Sequence, residues 1–288
     1  MILDPENAKV KIAAPKWILG SRVAELFFAT GIPVTGFALA AKNVATLDNF
    51  IWFYPVTLLA GWHVLAVNDL FFSDKNFPGR DKLLSTAFFL PIFFVPVVVA
   101  LILLQIGNGS FVAAIVLTVI NWDIYSVWGK RRWLSGLLHN SLAGAFHFSI
   151  GLTAVGCPIF CEFRAETIFF ALAMSGAVMH HDASHSVEDS MRKYKTGAVV
   201  FGRERWWKLA VVPMFFCLQT LFYCDKLFSM VFTFSLIVYS ISYIIFIFLS
   251  SYGDPARRYS LFRGLCRAIF ALGGLVFIAL SILRLLQL

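Results

Sequence analysis

Apolar residues in this chain run in long blocks, without the period-two alternation of half-buried strands or the one-sided stripe of soluble helices. A bilayer crossing needs about 20 apolar residues. Nine blocks are candidate spans: 17–41, 50–72, 83–106, 111–128, 134–156, 165–185, 206–222, 227–251 and 265–287. Those at 111–128 and 206–222 are the shortest. Turn-forming clusters separate several blocks, among them Gly107-Asn108-Gly109-Ser110, Gly156-Cys157-Pro158 and Tyr252-Gly253-Asp254-Pro255. No fixed-period repeat or low-complexity linker divides the chain. The pattern predicts an all-α protein: one domain over residues 1–288, folded as a nine-transmembrane-helix bundle in a lipid bilayer.

Composition sharpens this reading. Of 288 residues, 59% are apolar and 14% charged, against about 45–50% and about 25% in soluble domains. Mean hydropathy is +0.79. A soluble enzyme of this size could not hide so much apolar surface, and disorder requires the opposite composition. The formal net charge of +8 does not imply nucleic acid as partner, because the basic residues lie in short segments between blocks. Lys9, Lys11 and Lys16 precede the first block. Lys75, Arg80 and Lys82, then Lys130, Arg131 and Arg132, then Arg192, Lys193, Lys195, Arg203 and Arg205, then Arg257, Arg258 and Arg263 fill the even-numbered connections. The odd ones carry only Lys42, Arg164 and Lys226. This bias places the N-terminus and the even connections in the cytoplasm. The opening MILDPENAKVK has no short apolar segment with a cleavage site, so no removed signal peptide is expected. Of the five cysteines, Cys157 and Cys161 could pair in an outward loop, but buried thiols are the expectation.

Ionisable groups at membrane depth are costly and mark functional sites. They gather at the ends of the second and sixth blocks, in Val67-Asn68-Asp69-Leu70-Phe71-Phe72-Ser73-Asp74-Lys75-Asn76 and His180-His181-Asp182-Ala183-Ser184-His185-Ser186-Val187-Glu188-Asp189. The charge bias puts both segments on the cytoplasmic side. On a helix Asn68, Phe72 and Asn76 share one face, and Asp182, His185 or Ser186, and Asp189 share another. Carboxylates and amides facing each other at a bundle mouth suit Mg²⁺, which keeps several waters and is completed by phosphate oxygens. Basic residues nearby would balance a diphosphate. Polar residues that merely end two helices are the plainer alternative; two such segments on one side favour a site.

In order along the chain, these residues resemble the UbiA superfamily of intramembrane prenyltransferases, from about residue 50 to the C-terminus. That family has nine helices, an Asn-x-x-x-Asp-x-x-x-Asp motif after helix 2 and an Asp-x-x-x-Asp motif after helix 6. Asn68 matches the first Asn and Asp189 the last Asp; Thr196 and Gly202 keep the spacing that follows. Trp122-Asp123-Ile124-Tyr125-Ser126 with Lys130-Arg131-Arg132 resembles the basic loop after helix 4, and His139-Asn140 with Gly144 the polar patch of helix 5. The chain departs from the pattern where Phe72 and Asn76 take the two Asp positions of the first motif and His185 the first Asp of the second. Asp69, Asp74, Asp81 and Asp182 are the carboxylates near enough in sequence to compensate.

The resemblance implies a Mg²⁺-dependent enzyme that ionises an isoprenyl diphosphate and transfers the prenyl group to a small aromatic acceptor. Implied metal ligands are Asn68, Asp69, Asp74, Asp182 and Asp189; implied diphosphate contacts are Lys130, Arg131, Lys193 and Lys195. Asp69, Asp123 and His139 are candidates to orient the acceptor or take up its proton. Three alternatives stay open. Some UbiA-type proteins are terpene cyclases, and Asn68-Asp69 through Asn76 is loosely similar to a cyclase metal motif. A catalytically degenerate membrane protein would also lack the family's carboxylates. A membrane di-iron oxidase is suggested by His180, His181 and His185, with His139 and His147; the chain has 6 histidines, fewer than paired histidine boxes use, and His63 stands alone.

Overall fold

The computed structural model describes residues 23–72, 89–159, 163–248 and 255–286. Its long helices are α1 (Val23–Ala40), α2 (Phe50–Phe72), α3 (Val95–Ile106), α4 (Gly109–Val127), α5 (Trp133–Ala154) and α6 (Arg164–Met191). Two short helices, α7 (Gly197–Phe201) and α8 (Arg203–Leu209), lead into α9 (Val211–Thr220), α10 (Lys226–Phe248) and α11 (Pro255–Leu286). Each predicted block carries helix among the described residues. Among the described residues, five helical stretches are long and apolar enough to cross a membrane: Thr46–Asn68, Gly109–Val127, Arg203–Tyr223, Lys226–Phe248 and Arg258–Leu286. The chain is an integral membrane protein, and its surface fits that setting, with Leu104, Phe234 and Leu275 all exposed.

Local chemistry sets the helix ends. Gly107, at φ 67°, closes α3 in the left-handed conformation. Asn108 then caps α4, its side-chain oxygen accepting from the Phe111 N–H at 3.1 Å. A π-helical turn, Leu90–Phe94, precedes α3; it contains Pro91, which has no N–H to continue an α-helical ladder. Two boundaries differ from the sequence reading. Helix α6 runs past residue 185 to Met191, so Asp189 lies on the helix. Helix α11 begins at Pro255, well before the apolar block at 265. Proline suits a first helical position, and the arginines that interrupt the apolar pattern, including Arg263, are therefore helical.

Helices α5 and α6 pack side by side at the centre. Helix α1 lies along α5 and touches both α2 and α11; α4 bridges α5 and α2, and α9 and α11 cover α6. Close approach depends on small residues, as expected where lipid gives no hydrophobic drive for helix association. Gly151 of α5 faces the α1 backbone at Pro33, where any Cβ would collide. Between α6 and the last helices lies an aromatic core of Phe169, Phe170, Phe228, Phe232 and Phe277, with Phe228 and Phe232 ring centroids 4.4 Å apart.

Candidate active site at the basic end of the bundle

The connection after α4 and the one after α6 are stapled together. The Lys195 N–H donates to the Arg131 carbonyl at 2.9 Å, forming an isolated bridge between Arg132 and Lys195. The Tyr194 N–H donates back to the Asp189 carbonyl at 2.9 Å, and Lys193 between them takes φ 59°. Gly197 follows, tight against the Trp206 indole, where a Cβ would overlap the ring. Two segments more than 60 residues apart thus form one rim, and the basic residues the sequence singled out sit on it. Arg131, Lys193 and Lys195 are exposed, while Lys130 is half-buried.

Beneath the rim lie two carboxylates of α6. Asp182 is 8% exposed and Asp189 4%, two helical turns apart on one face. The Gly197 N–H donates to Asp182, and each carboxylate is within electrostatic reach of the other and of Lys130. Asp189 lies beyond the apolar span; burial pushes its carboxyl above the ordinary range, with Lys130 pulling against that shift. Tyr125 of α4, with Asn140 of α5 beside its hydroxyl, completes the wall and feels both acids. The Thr196 hydroxyl is turned toward Asp189 and the Trp206 indole N–H toward Asp182. Two buried carboxylates within reach of each other and of a lysine, under a basic rim, mark a candidate functional site.

His181 and His185 are ring neighbours, centroids 4.6 Å apart, but the other histidines are held by separate partners. His180 bonds the Tyr239 hydroxyl at 2.9 Å inside an aromatic cage with Trp207, Tyr243 and Phe262. His139 donates from Nδ1 to Asn121 at 2.8 Å, and His147 accepts from the Trp122 indole at 3.1 Å. His185 donates from Nδ1 to Glu188 at 3.0 Å and accepts at Nε2 from Arg263 at 2.8 Å. Among the described residues no three His, Cys, Asp or Glu side chains group closely enough to hold a metal. The described side chains thus assemble no preformed di-iron centre.

Asp123 has a partner that sequence reading missed. Its Oδ2 lies 3.4 Å from His63 Nε2, and His63 Nδ1 is 3.0 Å from the Pro91 carbonyl. A carbonyl only accepts, so Nδ1 carries a proton. Nε2 is left facing the Asp123 carboxyl. The other oxygen, Asp123 Oδ1, is buried with no hydrogen bond. Sixty residues of separation hid the pair; the available signal was that both groups lie inside apolar blocks and each needs a partner. Arg263 was missed because the sequence reading left it in a loop, and Pro255 was the clue to its helix. Of the other expected ligands, Asn68 is half-buried near the end of α2. Asp74 and Asn76, and the side chains of Asp69 and Phe72, lie outside the described residues, as do Asp81 and Cys161. Cys217 and Cys266 are buried thiols.

No family model matches the chain, and no curated protein matches it in sequence. Solved structures do match in shape. A digeranylgeranylglyceryl phosphate synthase structure aligns over 93% of this chain and 98% of its own, with TM-score 0.68 and 15% identity. A UbiA homolog from Archaeoglobus fulgidus bound to DMAPP and Mg²⁺ aligns over 92% and 99%, with TM-score 0.66 and 19% identity. The same homolog bound to GPP and Mg²⁺ gives TM-score 0.65 at 18% identity. The fold is therefore that of intramembrane UbiA-type proteins. At such low identity the likeness fixes the arrangement of helices and leaves the chemistry to this chain's own side chains.

Proposed function

We propose that the chain is a UbiA-superfamily enzyme, a nine-helix bundle with its N-terminus and basic rim in the cytoplasm, that ionises an isoprenyl diphosphate and transfers the prenyl group to a small aromatic acceptor. The observation that carries this reading is the buried Asp182–Asp189 pair under a basic rim, with the Thr196 hydroxyl and the Trp206 indole N–H turned toward the two carboxylates. Ligands of the similarly folded homolog structures, DMAPP or GPP with Mg²⁺, support it.

The donor set fits Mg²⁺. That ion is typically held by one or two carboxylates, waters and substrate phosphates, and a buried acid pair without a third neighbouring ligand among the described residues offers that much and no more. Asp182 and Asp189 would hold it, with Asn68, Asp69 and Asp74 the further candidates from the end of α2. Bound there, the ion neutralises charge on the departing diphosphate. Lys130 adds a point charge within reach of both acids, and Arg131, Lys193 and Lys195 on the rim draw the anionic headgroup in.

Breaking the prenyl C–O bond leaves pyrophosphate and an allylic cation. The cation needs π faces in place of nucleophilic oxygens; Trp122 and Tyr125, edge to face at 5.3 Å, stand on α4 beside the acid pair's wall. Attack by the acceptor carbon releases a proton, and the buried oxygen of Asp123 takes it up while His63 holds the carboxyl in place. His139 is tied to Asn121 and serves that helix contact, leaving Asp123 the stronger candidate base. Purified protein incubated with Mg²⁺ and geranyl, farnesyl or geranylgeranyl diphosphate tests this. Pyrophosphate release that requires an aromatic acceptor supports transfer. A cyclic hydrocarbon or terpene alcohol formed without acceptor would make it a terpene cyclase. Silence under every condition would overturn the enzyme reading.

A further inference from the structure

We propose that the end of the bundle opposite the basic rim holds a second binding site, for the uncharged, hydroxyl-bearing headgroup of a membrane lipid, such as a glycerol or a sugar. Helix α4 ends at the rim and α5 begins there, so their other ends lie on the far side of the bundle from the acid pair. At that far end the start of α2, the end of α3, the cap of α4 and the end of α5 surround an open cavity of about 560 Å³. Sites for small molecules occupy about 300–1,000 Å³. Among the described residues, neither a carboxylate nor a basic side chain lines this cavity. Its polar side chains are three carboxamides, Asn49, Gln105 and Asn108, beside the indole of Trp52.

The amides are held in place and keep hydrogen-bonding capacity. Asn49 Nδ2 donates to the Ala154 carbonyl at 3.1 Å and Asn108 Nδ2 to the Thr153 carbonyl at 2.8 Å, tying both to the end of α5. A carboxamide has two N–H donors and an oxygen that accepts, so each asparagine retains an N–H. Gln105 is exposed and bonds to no described residue. An uncharged lining with donors and acceptors suits hydroxyls, which are both at once. An anion would find no cation there, and a cation no carboxylate. The flank of the cavity points to a lipid as the carrier. Ile102 and Ile106 form its apolar side. Gln105 shares a helix face with Phe94, Val97 and Leu101, each more than half exposed. From Phe94 to Gln105 is about 16 Å at 1.5 Å per residue, close to half of a hydrocarbon core about 30 Å thick. An acyl chain lying on that stripe delivers its headgroup to Gln105 and the cavity mouth.

Photo-labelling of the full-length protein in phosphatidylcholine nanodiscs tests this. The probe is a monoacylglycerol with a diazirine next to its glycerol head, and labelled peptides are mapped by mass spectrometry. Labelling saturates and falls on residues 102–108 and 154–156. Excess 1-monooleoylglycerol removes it, whereas oleate, which is charged, and glycerol, which lacks the chain, do not. Gln105→Leu, at an exposed position where packing is undisturbed, raises the half-saturating probe concentration about 2- to 10-fold. Ile106→Trp fills the cavity and removes the label; should that variant fail to fold, Gln105→Leu decides alone. Labelling that spreads without saturation over the lipid-facing helices overturns the site, as does a half-saturating concentration unchanged in Gln105→Leu. Equal competition by oleate overturns the uncharged headgroup, and competition by glycerol alone overturns the lipid.

Discussion

Replacing Asp189 by Asn separates a ligand-binding acid from a structural one. The carboxyl is 4% exposed, and burial is the largest influence on it, exceeding the opposing pull of Lys130. A group whose proton affinity is raised by folding stabilises the protein most at low pH and loses that contribution as pH rises through its folded-state value. The amide mimics the protonated acid. In EDTA, Asp189→Asn therefore melts at or above wild type at neutral pH, and the difference shrinks as the pH drops into the range where wild-type Asp189 is itself protonated. Activity moves the other way. Removing one preorganised stabiliser of developing charge costs about 10²–10³ in turnover, and 100-fold corresponds to roughly 2.7 kcal/mol of barrier. The assay pairs thermal melts across pH in EDTA with pyrophosphate release under saturating Mg²⁺. An Asp189→Asn protein that keeps more than about a tenth of wild-type turnover would refute the ligand assignment, since that loss is below the range expected of such a group. A melt depressed at neutral pH would refute the burial argument.

Three further outcomes follow from other parts of the molecule. Asp123→Asn removes the proposed proton acceptor and lowers kcat about 10²–10⁴-fold with little change in KM for the diphosphate; steady-state kinetics with acceptor check this, and an unchanged kcat rejects the His63–Asp123 pair as the base. Gly197→Ala drives a methyl into the Trp206 indole and lowers stability by about 1–3 kcal/mol, read as a lower melting temperature together with weaker Mg²⁺-dependent turnover. Glu166→Ala, at the opposite end of α6, leaves the Asp225 N–H without its 2.7 Å acceptor and costs about 1–3 kcal/mol of stability; kcat measured on the folded fraction stays within about twofold, because surface and structural changes far from a site leave its chemistry intact.

What the sequence made legible follows from how far each signal reaches. Apolar runs report on lipid, and lipid acts on every residue of a span, so each predicted block carries helix. Ends are set by single residues: the cluster around Asn108 was read only as a turn and proved to hold a helix cap, and Pro255, read as the end of a turn, proved to start a helix. The acid pair was readable because Asp182 and Asp189 lie on one helix, where spacing alone fixes a shared face. The His63–Asp123 and His185–Arg263 contacts join helices 60 and 78 residues apart in the chain, and no local pattern encodes which helix will stand opposite.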